Sequence, residues 1–459
     1  MKKFYLGLLL PILALASCGD QKKSEDAVSN EDKNSSNQVV EESSSVQEAA
    51  KEVEYKDPET GEVRKLQLKE TKDVNEVAEL LRAIILADHP VTVPEACKIN
   101  AKVDAEFTGK QVAKNADFDW KGAVEASLQV KLPQLSLDQT AEELLKSTGL
   151  YVSLAAKGNF PLESIQADEP DFASTTPIDA KVQLELNNGS AYALATLNQE
   201  VIDFAREKFV VEEEEGEGEP ISEADSVNPQ DQFEMILGFL GKPLTVNVTT
   251  LLTTLVGSDM LALPLSSLLG ENATQASEVL DSFTAGTVNF AELTKQMTPE
   301  GEDSHLPTVE EIAAVIPMVS LEVANVNGSV VDLKLDLGNV VRMSQQQDNP
   351  TEVPQTLSTA ALPLTVTLDV NTLDVSRIVL DGAAFASEMI GSTLGSAGEV
   401  GYASNVAFKE LKLVVDIDLN AKAIDAIADK EEATDLTEMV KSLIAKPEES
   451  SQEGELIEG

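Results

Sequence analysis

The sequence predicts an α+β fold in which long antiparallel β-strands form one or more sheets that pack against α-helices. Three observations predict this fold. Apolar and polar residues alternate strictly over about eight to twelve residues in several segments. The dipeptides Asn188-Gly189 and Asn327-Gly328 separate pairs of such segments, as tight hairpin turns do. Segments with apolar residues at helical spacing lie between the two groups of strands.

The first group of strands is predicted from three alternating segments, which are residues 99–107, 122–132 and 178–186. Each places apolar side chains at every second position and polar side chains between them. This pattern is typical of antiparallel strands with one dry and one wet face. The turn at Asn188-Gly189 then leads into a further strand around Leu194.

The second group repeats the pattern in the C-terminal half. Its alternating segments are residues 319–323, 331–337, 364–370, 378–380 and 411–419. The turn at Asn327-Gly328 joins the first two of them. About nine to eleven strands are expected in all.

Helices are predicted from apolar residues at spacings of three and four. The first covers residues 74–85 and follows Asp73, with Glu76 at the spacing of a capping box. The other predicted helices are at residues 138–147, 198–209, 228–239, 248–256, 273–284 and 308–316, and one or two more at 421–445. The order is therefore strands, a helical middle and strands again.

A sheet with an apolar face needs a cover, and the helical segments are the available cover. The densest apolar cluster lies in the helical middle, at Leu252, Leu255, Leu261, Leu263, Leu265, Leu268 and Leu269. The first interpretation is that these leucines pack on the sheet as ordinary core. The second is that an incompletely filled space between sheet and helices accepts an acyl chain or another hydrophobic ligand.

The N-terminus has the pattern of a secretory leader. Met1-Lys2-Lys3 precedes an apolar run at residues 4–15, which is too short for a stable membrane span, and Leu15-Ala16-Ser17-Cys18 follows. This tetrapeptide resembles the lipobox of bacterial lipoproteins. The resemblance implies that residues 1–17 are removed, that Cys18 is lipidated, and that the chain is anchored to a membrane outside the cytoplasm. An ordinary signal peptide with a chance cysteine, or an uncleaved anchor, is the alternative.

The residue after Cys18 bears on which membrane carries the anchor. Gly19 stands where some Gram-negative lipoproteins carry an aspartate as an inner-membrane retention signal. By this resemblance we expect the cell envelope as the location, and the outer membrane if the cell is Gram-negative. Several acyl groups on one cysteine, which lipobox processing implies, hold a protein firmly.

Three acidic segments are predicted to lack a packed core. Residues 18–60 form an acidic, Ser-rich tether, residues 211–227 an acidic loop, and residues 447–459 an acidic tail. They separate the predicted structured parts. These are residues 61–210, with a helix and antiparallel strands; residues 228–317, which are helical; and residues 318–446, with strands and C-terminal helices.

Composition excludes several classes of partner. The net charge of −46 disfavours nucleic acid, because binding to polyphosphate depends on Lys and Arg displacing counterions. Cys97 is the one cysteine left after loss of the leader and lipidation of Cys18, so the mature chain has no internal disulfide. We interpret Cys97 as a small buried apolar residue or a strand-edge thiol.

Residues for catalysis are scarce. His89, which follows the first predicted helix, is interpreted as a helix C-terminal or loop residue, and His305 lies in a polar loop. The nucleophile elbow, the phosphate-binding loop and the HExxH zinc motif are absent from the sequence. The carboxylate pairs at 117/119 and 416/418 are interpreted as solvated strand faces. We therefore expect no enzyme, no metal site and no cofactor.

Long antiparallel strands and helices behind a lipobox resemble half-barrel lipoproteins and carriers of the LolA and LppX type. The resemblance rests on architecture over residues 70–446. It implies a curved sheet wrapped on helices, with a lipid-accepting cavity in some members. The chain is longer than a typical member, so the alternatives are two such units fused or an unrelated sheet-and-helix fold. The expected function is a membrane-anchored extracytoplasmic lipoprotein that binds a lipid or other hydrophobic ligand between sheet and helices. The alternative is a non-enzymatic surface or envelope protein with a filled core, whose protein partners the sequence does not identify.

Overall fold

The structure is a computed structural model that describes most of the chain between residues 52 and 444. The described residues are 52–57, 60–91, 94–112, 114–133, 136–162, 172–208, 229–274, 277, 286–288, 306–341, 360–396 and 403–444. The leader, Cys18, the acidic loop at 211–227, most of the predicted helix at 273–284, His305 and the acidic tail lie outside them.

The described chain contains both runs of strands and runs of helices, and the predicted α+β class is confirmed. The strands are β1 (Glu52–Lys56), β2 (Val63–Gln67), β3 (His89–Val91), β4 (Ala96–Gln111), β5 (Ala116–Lys131), β6 (Gly149–Phe160), β7 (Thr176–Asn187), β8 (Ser190–Leu197), β9 (Leu244–Asn247), β10 (Gly286–Val288), β11 (Glu322–Asn327), β12 (Val330–Asp336), β13 (Pro363–Asp369), β14 (Val375–Asp381), β15 (Ala403–Asp418) and β16 (Thr434–Asp435). The helices are α1 (Val74–Leu86), α2 (Ala141–Ser147), α3 (Gln199–Lys208), α4 (Pro229–Gly238), α5 (Val248–Val256), α6 (Ser258–Leu261), α7 (Leu265–Leu269), α8 (Val309–Val319), α9 (Ala383–Ser396) and α10 (Thr437–Ile444).

Twelve of the described strands belong to one open sheet that is mostly antiparallel. The pairs β1-β2 and β3-β10 form two small separate sheets. The chain divides into two compact units. Unit 1 comprises Met1–Pro94, Asp281–Phe385 and Asp416–Asn420, and unit 2 comprises Glu95–Leu280, Ala386–Val415 and Ala421–Gly459. The curved half-barrel form stays a prediction.

Unit 1 contains a packed core of the expected kind. Strands β11, β12, β13 and β14 are antiparallel neighbours, and helices α1 and α8 supply the apolar side chains that pack against them. Val77 and Ile84 of α1 are fully buried together with Val331 and Leu368 of the strands. The Asp73 carboxylate caps α1 by accepting from the N–H groups of residues 75 and 76, as the sequence predicted for the helix start.

The described part of unit 1 includes residues that the sequence assigned to the tether at 18–60. Residues 52–56 form β1 instead, which pairs along its whole length with β2. Val53 is 1% exposed and belongs to the core. Val53, the partly buried Tyr55 and a strand partner thus hold this segment in unit 1, although its composition is rich in charge.

His89 has a structural role in unit 1. It begins β3, and its ring is buried between two main-chain carbonyls, with Nε2 2.7 Å from Ile84 O and Nδ1 3.0 Å from Asn371 O. The sequence placed His89 at a helix end or in a loop, and it lies in a short strand three residues after α1 ends. The ring ties the end of α1 to the turn after β13.

Unit 2 is built on the sheet order β15-β4-β5-β6-β7-β8-β9-β16. Its strands are long, and β4 and β5 pair over sixteen residues each. Asn188 and Gly189 both have positive φ, at 49° and 74°, which confirms the predicted hairpin between β7 and β8. The sequence interpretation missed β6, although residues 150, 152, 154 and 156 alternate as the predicted strands do.

The C-terminal part of unit 2 differs from its prediction. Residues 421–445 were predicted as one or two helices, and α10 (Thr437–Ile444) is the α-helix found there. Residues 421–432 instead form an irregular covering segment that ends in a 3₁₀ turn at Lys430–Glu432. The helix-favouring composition of this segment is overridden by its contacts with the sheet, which are described below.

Candidate functional site

The sheet of unit 2 exposes the face that the sequence predicted to be dry. Five large apolar side chains on β5, β6 and β7 are between 40% and 52% exposed, and these are Val124, Leu128, Leu154, Val182 and Leu184. On the opposite face of β7, Glu185 is 2% exposed. Alternation predicted the two faces correctly, but the assignment of dry and wet faces is reversed at the centre of this sheet.

The strand register makes the exposed side chains one continuous surface, here called the apolar face. Leu128 lies opposite Val152, which lies opposite Leu184. In the next row Leu154 lies between Ala126 and Val182. From strand spacing, the face across β4 to β8 measures roughly 20 Å by roughly 26 Å. This footprint of roughly 500 Å² lies within the range of roughly 300–600 Å² for the largest apolar patch on a typical soluble monomer.

The apolar face has no polar side chain in its central rows. The positions that share it are Ile99, Ala101, Val103 and Ala105 on β4; Gly122, Val124, Ala126, Leu128 and Val130 on β5; Leu150, Val152, Leu154 and Ala156 on β6; Ile178, Ala180, Val182, Leu184 and Leu186 on β7; and Ala191, Ala193 and Ala195 on β8. Small alanine side chains lie beside larger leucine and valine side chains, so the surface is uneven. The main-chain groups beneath it are engaged in the ladders between strands.

Aromatic rings close one end of the apolar face. Trp120 of β5 packs edge-on against Phe107 of β4 at 4.5 Å between ring centroids, and Phe118, Phe172 and Phe408 complete the group. The Trp120 indole donates a hydrogen bond of 2.8 Å to Phe172 O, so its one polar group is satisfied. In the neighbouring row the ring of Phe160 lies over Gly122, where a side chain would collide with it.

The polar face of the same strands is partly buried under the covering segment. Gln129 and Asp425 are joined by two hydrogen bonds, Gln129 Nε2 to Asp425 Oδ2 at 2.8 Å and Asp425 N–H to Gln129 Oε1 at 2.7 Å. The segment comes close to the sheet at Gly149, where a Cβ would lie 2.7 Å from Ile424 Cδ1, the end of that side chain. The covering segment is thus positioned by buried polar contacts as well as by its isoleucines.

Glu185 is the central charged group of this polar face. It accepts hydrogen bonds of 2.7 Å from Ile427 N–H and from Lys430 Nζ, and one of 3.1 Å from Asn187 Nδ2. Burial opposes ionisation of Glu185, but these three donors outweigh it and hold the pKa of Glu185 below its ordinary value. The Lys98 ammonium, which donates to Asp425, and the Gln129 amide likewise lower the pKa of Asp425.

Other residues singled out from the sequence carry no site of their own. Cys18 lies outside the described residues. Cys97 is partly exposed on β4, opposite Val130. Asp119 forms an exposed ion pair of 2.8 Å with Lys409, and Asp416 one of 3.5 Å with Arg377. These two pairs fit the interpretation of the carboxylates as solvated strand faces.

The leucine cluster of the helical middle does not form the expected core. Leu261 is buried, whereas Leu255, Leu263, Leu268 and Leu269 are 38–56% exposed. The length of the helices explains this exposure. Helices α5, α6 and α7 have nine, four and five residues, and a short helix buries only one narrow side.

A cleft in unit 1 is too small to serve as the expected ligand cavity. It encloses about 200 Å³ and is lined by Leu66, Leu68 and Leu80 together with polar residues such as Lys69 and Glu79. Ligand pockets usually enclose about 300–1,000 Å³. The apolar face of unit 2 is therefore the stronger candidate for a hydrophobic ligand.

No helix in the described part of the chain has the length and hydropathy needed to cross a membrane. In the same part of the chain, His, Cys, Asp and Glu side chains nowhere gather in a group of three or more that could hold a metal ion.

Comparison with protein-family models, with curated proteins and with solved structures gives no significant match for this chain. The candidate site therefore rests on the geometry of the apolar face.

Proposed function

We propose that this protein is an extracytoplasmic lipoprotein, anchored in the cell envelope through an acylated Cys18, that holds aliphatic chains of a lipid on the apolar face of unit 2. The observation that carries the proposal is the exposure of Leu154, Val182 and Leu184 at about half of their surface. The largest apolar patch on a soluble monomer is often a functional surface.

The chemistry of the apolar face favours an aliphatic ligand. Its central rows present only hydrocarbon side chains, and the strand ladders use the main-chain donors and acceptors beneath them. A ligand with many polar groups would lose its hydrogen bonds to water here and gain none, which is costly. An acyl chain has no such groups, so it gains the full benefit of leaving water.

A second copy of the chain or another protein fits the apolar face less well. A net charge of −46 makes copies repel each other. Protein interfaces carry about one hydrogen bond per 100–200 Å² and are enriched in Tyr, Trp and Arg. The central rows offer no side-chain hydrogen bond, and the aromatic rings lie at one end, where Phe107 and Trp120 already pack on each other.

The alternative, a non-enzymatic envelope interaction protein with a filled core, draws support from unit 1. Its core leaves Val77, Ala78 and Ala83 without any exposed surface, and the cleft beside it is small. On this alternative the apolar face would contact a protein partner and would not retain lipid. Extraction of the purified, untagged protein followed by mass spectrometry separates the two: stoichiometric lipid supports the carrier, and repeated blank extracts support the interaction protein.

We expect the double substitution Leu154→Asp and Leu184→Asp to weaken binding of a fluorescent fatty acid at least tenfold. Both side chains are half exposed, so the fold tolerates the carboxylates, which place charge in the middle of the apolar face. Titration of the fatty acid into wild type and variant measures the effect. Leu443→Asp on α10, where the side chain is 68% exposed, is the matched control and should bind as wild type does. Equal affinity of the double variant and wild type would refute the site.

Cys18→Ala should abolish incorporation of radiolabelled palmitate in a host that processes lipoproteins. The reason is that the thiol of Cys18 is the proposed attachment point of the acyl group, and Cys97 stays in the folded sheet. Cys97→Ala is the control and should incorporate label at the wild-type level. Continued labelling of the Cys18 variant contradicts the anchor.

A further inference from the structure

The helical middle of unit 2 presents further exposed apolar side chains, in a stretch of sequence with little charge. Residues 243–270 contain one charged residue, Asp259, in a chain in which a quarter of the residues are charged. Six large apolar side chains of this stretch are 38–56% exposed: Leu255, Val256, Met260, Leu263, Leu268 and Leu269. They are here called the helical patch, and they lie at the end of α5, on α6 and α7, and in the turn between these two.

Main-chain hydrogen bonds fix part of the helical patch to a neighbouring segment. Leu265 N–H donates to Gln139 O and Ser266 N–H donates to Leu137 O, each at 2.9 Å. The main chain of α7 is thereby fixed to the segment that precedes α2, and Leu261 is buried on the inner side. The exposed side chains are therefore presented by a supported segment, and binding to a partner does not require the segment to order first.

Two of the four threonine hydroxyls of α5 are satisfied within the helix. Thr253 Oγ1 donates to Thr249 O at 2.7 Å, and Thr254 Oγ1 donates to Thr250 O at 3.0 Å. These two hydroxyls therefore need no water, and the Thr249 hydroxyl lies 3.5 Å from Gly189 O. This lowers part of the cost of moving the end of α5 into an environment without water.

We infer that the helical patch docks on the surface of an electrically neutral lipid bilayer. Aliphatic side chains on short helices enter the boundary between headgroups and acyl chains, and the gain scales with the apolar area buried. Residues 243–270 contain no Lys or Arg, and the chain is strongly acidic, so an anionic bilayer would repel it. A protein partner fits less well, because the patch lacks the Trp, Tyr and Arg that dominate protein interfaces.

This inference goes beyond the proposed acyl-binding function and does not depend on it. If both hold, the helical patch brings unit 2 to a bilayer and the apolar face accepts the lipid. If the acyl-binding proposal fails, the helical patch still predicts membrane contact that is independent of the anchor on Cys18.

The test is vesicle flotation with the chain from residue 18 onward carrying Cys18→Ser, which has no acyl anchor and keeps every described residue. With phosphatidylcholine vesicles we expect the protein to float, and we expect the triple variant Leu255→Asp, Leu263→Asp and Leu268→Asp to bind at least tenfold less. Vesicles with a large fraction of phosphatidylglycerol should bind the unsubstituted chain less than phosphatidylcholine does.

The matched control carries Leu154→Asp and Leu184→Asp on the apolar face and should float within twofold of the unsubstituted chain. Circular dichroism checks that each variant is folded. Failure of the unsubstituted chain to float, or equal flotation of the triple variant, overturns the inference; so does loss of flotation in the apolar-face control alone. As a measurement without substitutions, amide hydrogen exchange in residues 248–270 should slow when phosphatidylcholine vesicles are added, and unchanged exchange contradicts docking.

Discussion

Replacement of Ile84 by alanine is expected to lower the free energy of unfolding by about 4 kcal/mol. Ile84 of α1 is 1% exposed and is among the largest fully buried side chains of the described residues. Loss of three carbon atoms removes their transfer free energy and leaves a cavity between α1 and the strands of unit 1, which close packing prevents from collapsing fully. Urea unfolding followed by far-ultraviolet circular dichroism measures the change.

The control for this experiment is Ile236→Ala, the same substitution on a side chain of α4 that is 59% exposed. It should change the free energy of unfolding by less than about 0.5 kcal/mol, because the removed atoms were already largely in water. If both substitutions cost the same, the packed core of unit 1 is not organised as described.

Glu185→Ala is expected to cost about 3 kcal/mol at neutral pH. The side chain is buried and its carboxylate holds the covering segment through Ile427 N–H and Lys430. Removing one member of a buried charged pair leaves the other without its partner; the Lys430 side chain is 30% exposed, so water relieves part of that loss. Chemical unfolding at pH 7 measures the effect. The control is Glu125→Ala on β5, on the same face of the sheet as Glu185. The Glu125 carboxylate is 62% exposed, so its loss should hardly change the free energy of unfolding.

The cost of losing Glu185 should depend on pH in a defined direction. The pKa of Glu185 is lower in the folded chain than in the unfolded chain, so its contribution to stability is fully present above the ordinary glutamate pKa of about 4.3. The contribution is lost as the pH falls through the lowered pKa. The difference between wild type and Glu185→Gln should therefore shrink between pH 7 and pH 3. A difference that stays constant over this range would show that the charge of Glu185 does not hold the segment.

Much of the fold is readable from the sequence because period-two and helical spacings are local properties. The hairpin at Asn188-Gly189 and the start of α1 at Asp73 follow from turn and cap chemistry alone. Strand β6 was also readable, since the apolar residues 150, 152, 154 and 156 stand at every second position. Its first residue, Gly149, lies close to Ile424 of the covering segment.

The functional surfaces were less predictable, because alternation does not reveal which face of a sheet is covered. Leu184 and Glu185 predict two faces, and only the distant contacts from Ile427 and Lys430 decide that Glu185 is the buried one. The exposure of Leu255 and Leu263 was also not predictable from the local sequence pattern. A leucine-rich segment predicts burial on average, and the shortness of α5 to α7 limits how many of its side chains can be buried.

Trp120 is an intrinsic fluorescent probe of the apolar face. It is the single indole among 459 residues and sits in the ring group at the border of the apolar face. All tryptophan emission therefore originates at that border. Any molecule that settles against the rings alters the polarity sensed by this one fluorophore, so occupancy can be followed in the unlabelled protein.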